Sequence, residues 1–375
     1  MLCLDVVQII CDFSDLRTQI NLISSCKEYY EYLKIRKLNC SDGIGSTIIQ
    51  EVITQRKFDK LRKINACYNS KITDVNHLQN SLIELNCGSY YCGINQKGIS
   101  NLKILRKLNA GNNSKITNLN HLRNTLIELN CWNDCGIDQK GISELKALQK
   151  LNANDNSKIT DVNHLQNTLI ELDCCNNCGI DQKGIYELKI LQKLDARYNE
   201  KITDLNHLRN ALTELVCSAY CEIDQKGISN LTKLQKLDAG GNSKITDVNH
   251  LQYTLTALDC SYNCGIDQKG ISNLKVLQKL NAYHNIKITN VTHLQNTLTE
   301  LNCGWDCGID QKGISNLTKL QKLHVSGNSK ITDVNHLQYT LTELDCCYNS
   351  GIDRKGIKSL RVLRELDTHH NNNFF

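Results

Sequence analysis

Cysteine and histidine are the side chains of this 375-residue sequence that could carry chemistry, and both recur at fixed spacing. Seven cysteines share one repeated position, and six more follow about four residues later. Thiols in such rows could form disulfides or hold metal ions. The first row is Cys87, Cys131, Cys174, Cys217, Cys260, Cys303 and Cys346, and the second is Cys92, Cys135, Cys178, Cys221, Cys264 and Cys307.

The spacing of the cysteines argues against a disulfide ladder. Neighbouring strands of a parallel stack lie about 4.8 Å apart, and a coil without this cysteine separates successive members of the row. Like cysteines are therefore roughly 10 Å apart, beyond the Cα limit of about 7 Å for a disulfide. A bond within one coil, as between Cys174 and Cys178, stays open. Zinc needs four convergent ligands, so we expect small buried hydrophobic residues and no metal.

The histidines form a third row, in which each precedes a leucine on the outer side of the repeat. This position predicts an exposed polar column, with a pH-sensing column as the alternative. The row does not vary from repeat to repeat as a grafted active site should, so we expect neither catalysis nor a cofactor. It comprises His77, His121, His164, His207, His250, His293 and His336.

The element that positions these rows is a repeat of 43 residues, with one step of 44, that begins at Leu61. Each period has a half of the form L-x-x-L-x-A-x-x-N and a half of the form L-x-x-L-x-C-x-x-N. Both halves resemble leucine-rich repeats. The I-x-x-x-G-I-x-x-L tail of the second half, as in Ile180, Gly184, Ile185 and Leu188, resembles the cysteine-containing type. The resemblance implies an α/β leucine-rich-repeat solenoid, with a curved parallel sheet on the concave side and short helices or turns on the convex side. The periods begin at Leu61, Leu105, Leu148, Leu191, Leu234, Leu277, Leu320 and Leu363.

Charged residues alternate along the predicted concave face. The third position carries lysine in one half of each period and glutamate in the other, except for Ala257 and for Glu365 in the truncated last period. This alternation predicts a ladder of ion pairs between neighbouring strands, each pair contributing at most about 1 kcal/mol. From Leu61 onward, the third and fifth positions carry seven lysines, seven glutamates and six aspartates. The face is therefore acidic, and we expect a basic partner there.

Aromatic and basic residues interrupt the repeat at the seventh and eighth positions. Exposed aromatic residues and arginine often anchor protein interfaces, although they could also merely cover neighbouring strands. The predicted partner-binding residues are Tyr68, Trp132, Arg197, Tyr198, Tyr262, Tyr283, His284, Trp305 and Tyr348.

The first 60 residues depart from the repeat and divide into two parts. Residues 2–33 have apolar residues at helical spacing and predict two or three short helices. Residues 34–60 predict an irregular first repeat and a linker, because Ile35, Leu38 and Cys40 already match a repeat strand. Residues 61–375 then form about fifteen coils.

The N-terminal helical segment resembles an F-box, the module that binds Skp1 in cullin-RING ubiquitin ligases. An apolar opening before Asp5 and a closing Cys26, Lys27 and Tyr29 carry the resemblance. Together with the cysteine-containing repeats, it resembles F-box/leucine-rich-repeat proteins, including those multiplied in giant DNA viruses of amoebae. The residues implied for Skp1 binding are Leu2, Leu4, Val6, Ile9, Ile10, Phe13, Ile20, Ile23, Lys27 and Tyr29.

This resemblance implies that residues 2–33 bind a Skp1-like protein and that the concave face recruits a protein substrate. A plain helical cap on an interaction scaffold or decoy, without a ubiquitin-ligase role, is the alternative. The net charge of +5 argues against a nucleic-acid partner. The opening residues lack a basic signal-peptide region, and no stretch of about 20 apolar residues is present, so we expect an intracellular location, cytoplasmic or nuclear, away from membranes.

Overall fold

The computed structural model of the chain describes residues 4–40 and 47–374. These residues form two compact units, Met1–Leu188 and Lys189–Phe375. Each unit is built from parallel three-residue strands joined by short outer segments, which is the leucine-rich-repeat solenoid that the sequence predicts. Among the described residues, no helix is long and apolar enough to cross a membrane.

Every repeat half contributes one strand, and within each unit neighbouring strands pair in parallel and in register. The central leucine or isoleucine of each strand is buried, except in the last strand, because alternate side chains of a strand point to opposite faces. The first unit contains β1 (Lys37–Asn39), β2 (Lys63–Asn65), β3 (Glu84–Asn86), β4 (Lys107–Asn109), β5 (Glu128–Asn130), β6 (Lys150–Asn152) and β7 (Glu171–Asp173). The second contains β8 (Lys193–Asp195), β9 (Glu214–Val216), β10 (Lys236–Asp238), β11 (Ala257–Asp259), β12 (Lys279–Asn281), β13 (Glu300–Asn302), β14 (Lys322–His324), β15 (Glu343–Asp345) and β16 (Glu365–Asp367).

The outer segments are single helical turns. In the Q-K-G-I turns, the aspartate or asparagine before the turn caps it, as Asp138 does by accepting a hydrogen bond from the Gly141 N–H at 2.9 Å. The α-helical turns are α4 (Gln50–Ile53), α5 (Gln96–Ile99), α6 (Gln139–Ile142), α7 (Gln225–Ile228) and α8 (Gln311–Ile314). The 3₁₀ turns are Arg56–Phe58, Asn76–Leu78, Asn120–Leu122, Asn163–Leu165, Lys183–Ile185, Asn206–Leu208, Asn249–Leu251, Lys269–Ile271, Thr292–Leu294, Asn335–Leu337 and Asn372–Phe374.

A row of buried asparagines closes each L-x-x-L-x-A coil. In the second unit, the Asn285 side chain donates hydrogen bonds to the carbonyls of Cys260 and Ile266, at 2.8 and 3.1 Å. Its own side-chain oxygen accepts the Lys287 N–H at 3.0 Å. These bonds satisfy backbone groups that would otherwise be buried and unpaired.

Three helices precede the first strand, as the sequence predicts: α1 (Leu4–Phe13), α2 (Leu16–Ser24) and α3 (Lys27–Tyr32). The buried Gln8 side chain ties α1 to the chain that enters β1. Its amide donates to the Lys34 carbonyl and its side-chain oxygen accepts the Lys34 N–H, both at 2.9 Å. The helical segment therefore has a fixed position on the first coil.

Candidate functional site

Helix α1 exposes an apolar face. Val6, Ile9 and Ile10 are 43%, 56% and 48% exposed, while Val7 and Cys11 on the opposite side are buried. A helix that merely capped the repeats would place its large apolar residues against them. Because Gln8 and the ion pair between Asp12 and Arg36 at 3.2 Å hold α1 in place, the exposed face is a built feature of the segment.

The other residues implied by the F-box resemblance occupy varied positions. Lys27 is exposed, and Leu4, Ile20 and Tyr29 are half-buried. Ile23 is fully buried, so it packs in the core of the helical segment and cannot contact a partner directly. Leu2 and the side chain of Phe13 lie outside the described residues.

The strand face, made of the third and fifth positions of the coils, carries the predicted ladder of ion pairs. The first unit has the pairs Lys63–Glu84, Lys107–Glu128 and Lys150–Glu171, at 2.7 to 3.0 Å. The second unit has Lys193–Glu214, Lys236–Glu214, Lys279–Glu300 and Lys322–Glu343, at 2.6 to 3.4 Å. The ladder is confirmed, and its exposed pairs stabilise the fold only weakly.

A groove of about 480 Å³ runs along the strand face of the second unit, from β9 to β14. Ala257, the alanine that replaces glutamate, lies among its lining residues and leaves room between Lys236 and Lys279. Asp238 and Asp259 pair directly across neighbouring strands below this gap. Burial raises the pKa of Asp238, and the charge of Asp259 raises it further, as expected where two carboxylates face each other.

The acidic residues of the strand face are concentrated in the second unit. Its third positions carry four lysines and four glutamates, and its fifth positions add five aspartates, for a balance of five negative charges. In the first unit, four lysines face three glutamates and one aspartate, which leaves no net charge. The acidic charge from which a basic partner is expected therefore lies in the second unit.

His324 and Asp345 form a titratable pair on this face, with His324 Nδ1 at 3.5 Å from Asp345 Oδ2. The hydrogen bond to Asp345 raises the pKa of His324, and the bond with His324 lowers the pKa of Asp345. The stabilisation from the histidine is therefore complete below its unfolded value of about 6.5 and is lost as the pH rises through the folded value. The contribution of the aspartate is lost as the pH falls below about 4.

We expect an NMR titration to give His324 a pKa above the ordinary histidine value. Asp345→Asn should return the His324 pKa toward that value, because the amide cannot hold the charge of the imidazolium. His293, whose pKa burial lowers, serves as an internal control and should not respond. A His324 pKa that is the same in both proteins would contradict the pairing.

The turn row, made of the seventh and eighth positions, has an unusual backbone. The eighth residue of most coils has a positive φ, a conformation that favours glycine and asparagine and that is an outlier for bulky side chains. The first unit mostly follows this preference, with Asn112, Asn133, Asp155 and Asn176. In the second unit the positive-φ residues include Tyr198, Tyr262, His284, Trp305, Tyr348 and His370.

Rings at these positions cost backbone strain of about 1 kcal/mol or more each, and they stack on one another. The ring ladder comprises Tyr262, His284, Trp305, Tyr348 and His370, with successive ring centroids 6.1, 5.8, 5.9 and 5.6 Å apart. The step from Trp305 to Tyr348 crosses the coil of Gly327, whose missing side chain leaves space for the indole. Tyr283 contacts Tyr262 and His284 edge-on.

The remaining predicted partner-binding residues lie outside this ladder. Tyr68 contacts Tyr91 in the first unit, with ring centroids 6.4 Å apart. Trp132 is half-buried and lies against Gly111. Tyr198 stacks on Tyr220 at 5.7 Å. The Arg197 guanidinium pairs with the Asp195 carboxylate, with Nη2 to Oδ2 at 2.7 Å.

The cysteine rows are buried free thiols, which confirms their predicted role as small core residues. Burial raises the pKa of Cys92, Cys221 and Cys307 to about 11, so these thiols are protonated at neutral pH and poor nucleophiles.

The histidine column is exposed, as predicted, but its members also form hydrogen bonds. His121 Nε2, for example, donates to the Ile99 carbonyl at 3.0 Å, because a carbonyl oxygen can only accept. The same contact ties His77, His164, His250, His293 and His336 to the preceding coil. Sequence reasoning missed this structural role.

Comparison with known proteins supports the fold. No protein-family model and no curated protein matches the chain. Among solved structures, a TLR13–ssRNA13 complex matches at a TM-score of 0.55 and 17% identity, over 90% of this chain and 66% of that one. The Leptospira interrogans LRR protein LIC12759 gives 0.45 and 20%, over 94% and 98%. The yeast Rad7 and Elc1 complex gives 0.46 and 17%, over 91% and 92%.

Proposed function

We propose that the chain is a protein-interaction module that acts as the substrate-recognition adaptor of an SCF-type ubiquitin ligase. The helical segment binds a Skp1-like protein, and the strand side of the second unit recruits a basic protein substrate. The exposed face of Val6, Ile9 and Ile10 carries the proposal. Burial of such a face against a partner favours binding by about 1.5 to 3 kcal/mol for each large side chain.

Two observations favour binding over catalysis. Burial raises the pKa of Cys87 and Cys303 in the first row and of Cys307 in the second, which keeps these thiols protonated. Exposed histidines of the outer column, such as His121 and His250, use a ring nitrogen to donate a hydrogen bond to a backbone carbonyl. The recurring cysteines and histidines, which are residue types common in active sites, therefore stabilise the coils.

Co-expression of the full chain with Skp1, followed by affinity capture, tests the adaptor role. The double substitution of Ile9→Asp and Ile10→Asp should lower Skp1 affinity at least about 100-fold, because it places charges in an apolar contact. Both residues are exposed, so the segment should keep its fold. Ile286→Asp is the matched control, since Ile286 is 61% exposed in the other unit, and it should bind Skp1 normally.

Retention of Skp1 by the double variant would show that Skp1 does not bind through the exposed face of α1. Absence of Skp1 from the folded wild-type chain would reduce the helical segment to a cap. The chain would then be an interaction scaffold or decoy without a ubiquitin-ligase role. The scaffold and the adaptor would both recruit a partner on the strand side of the second unit. Only the experiments on the N-terminal segment therefore distinguish them.

A further inference from the structure

The ring ladder of the second unit combines strained turns, regular spacing and an acidic setting. We propose that it binds an extended protein segment with basic side chains at alternate positions. This inference rests on the proposed recruiting role of the second unit and names the chemistry of the segment that it recognises.

The turns show that the fold does not need these rings. Asn133 and Asn176 occupy the same turn position in coils of the same kind as that of Trp305, and they adopt the same positive φ without strain. The second unit instead carries bulky rings there, of which Tyr262 is 65% and Trp305 41% exposed. Residues held in strained backbone conformations cluster at functional sites such as ligand clamps, so the exposed rings point to binding rather than to packing.

The spacing of the rings matches an extended chain. Side chains two residues apart project from the same side of a strand and are roughly 6.6 Å apart. The ladder steps measure 5.6 to 6.1 Å. An extended segment of about nine residues would therefore span the five rings of the ladder and present one side chain to each ring.

The surrounding charges select the side chains of the partner. Asp306 is 85% exposed beside the ladder, with its Oδ2 at 3.6 Å from His284 Nδ1. Asp259, Asp345 and Asp367 precede rings of the ladder by three residues in their own coils. A guanidinium or ammonium group over an aromatic face gains from the ring and from nearby carboxylates. A basic segment therefore satisfies both the ladder and its acidic border.

The same charges disfavour a single-stranded nucleic acid, the other polymer that stacks on aromatic platforms. Such binders combine their rings with a positively charged groove along the phosphates. In the second unit, the four lysines at the third positions are matched by four glutamates, and the fifth positions add five aspartates, of which Asp195 pairs with Arg197. Phosphates would meet a negative surface here, so a protein segment is the favoured occupant.

Fluorescence anisotropy with the full chain tests the inference. The probe is a labelled nine-residue peptide in which arginine and serine alternate, measured at physiological salt. We expect binding that weakens about fivefold to tenfold in each of Trp305→Asn and Tyr262→Asn, the magnitude of a lost cation–π contact. Both variants should melt at the same temperature as the wild type or higher, since asparagine tolerates the turn.

Tyr253→Asn is the matched control, because Tyr253 is 71% exposed on the outer side of the same unit and other coils carry asparagine there. It should leave peptide binding unchanged. A peptide with the same arginines in one block should bind more weakly than the alternating peptide. Equal binding of the two peptides would overturn the proposed spacing, and no loss in the Trp305 and Tyr262 variants would overturn the site.

A nine-nucleotide single-stranded RNA provides the remaining arm. RNA binding that depends on Trp305, without peptide binding, would assign the ladder to nucleic acid and overturn the proposal. Failure to bind either probe would overturn it as well. The Trp305→Asn chain should still retain Skp1, so a failure of this inference is distinguishable from a failure of the adaptor role.

Discussion

Substitution of Asn285 by alanine is expected to lower the free energy of unfolding of the second unit by about 4 kcal/mol. The side chain is fully buried and forms three hydrogen bonds with the backbone. Alanine would leave the Cys260 and Ile266 carbonyls and the Lys287 N–H without this partner. Each unsatisfied buried group costs roughly 1 to 3 kcal/mol.

Urea denaturation followed by circular dichroism measures this loss. Asn296→Ala is the control, since Asn296 is an exposed asparagine at the outer turn of the same coil, and it should change stability by less than about 0.5 kcal/mol. Equal stability of the two variants would mean that water or a rearranged backbone replaces the Asn285 bonds. The asparagine row would then have no special role in the fold.

Gly270→Ala is expected to destabilise the second unit by about 3 kcal/mol, the upper part of the range for overpacked cores. Gly270 is buried in the 3₁₀ turn Lys269–Ile271. A Cβ atom there would overlap the Thr246 carbonyl oxygen of the preceding coil. That oxygen belongs to the backbone, and the nearby Val248 N–H donates a hydrogen bond to the Gly270 carbonyl at 2.9 Å. Neither of the two backbone segments can therefore move freely.

Thermal unfolding compares Gly270→Ala with Ser272→Ala, an exposed position just after the same turn. The serine variant loses only the hydrogen bond of its hydroxyl to the Lys269 carbonyl and should melt close to the wild type. Gly270→Ala should melt several degrees lower. An unchanged melting temperature would show that the coils separate locally without cost.

The solenoid architecture could be predicted because the same pattern of apolar and polar residues recurs in every repeat. Apolar and polar residues alternate along each strand, as in the buried Leu280 and the neighbouring Lys279, and the same pattern returns every 43 residues. One coil therefore predicts the others. The ion pair of Lys279 with Glu300 followed from the positions of the two residues in neighbouring coils. In this case the type of residue and its place in the coil determine the contact.

The ring ladder could be predicted only in part. The aromatic residues interrupt the repeat visibly, but their mutual stacking depends on the turn conformation and on Gly327, which a single coil does not reveal. His370 joins the ladder, although its residue type alone does not distinguish it from the neighbouring His369. The difference in charge between the units could not be predicted either, because the boundary after Leu188 was not predicted. Five of the six aspartates counted on the strand face lie beyond that boundary.

The lateral bonding of the turns has a consequence for how the protein could diversify. The Tyr262 N–H donates to the Tyr283 carbonyl and the Tyr348 N–H to the His369 carbonyl, at 2.9 and 3.0 Å. Each turn is thus held by the next coil, and its own side chain is left out of the core. Since coils in a solenoid contact only their neighbours, unequal recombination between near-identical repeats would add or remove two steps of the array at once. New recognition lengths could then arise by gene duplication within the coding sequence, without redesign of the interior.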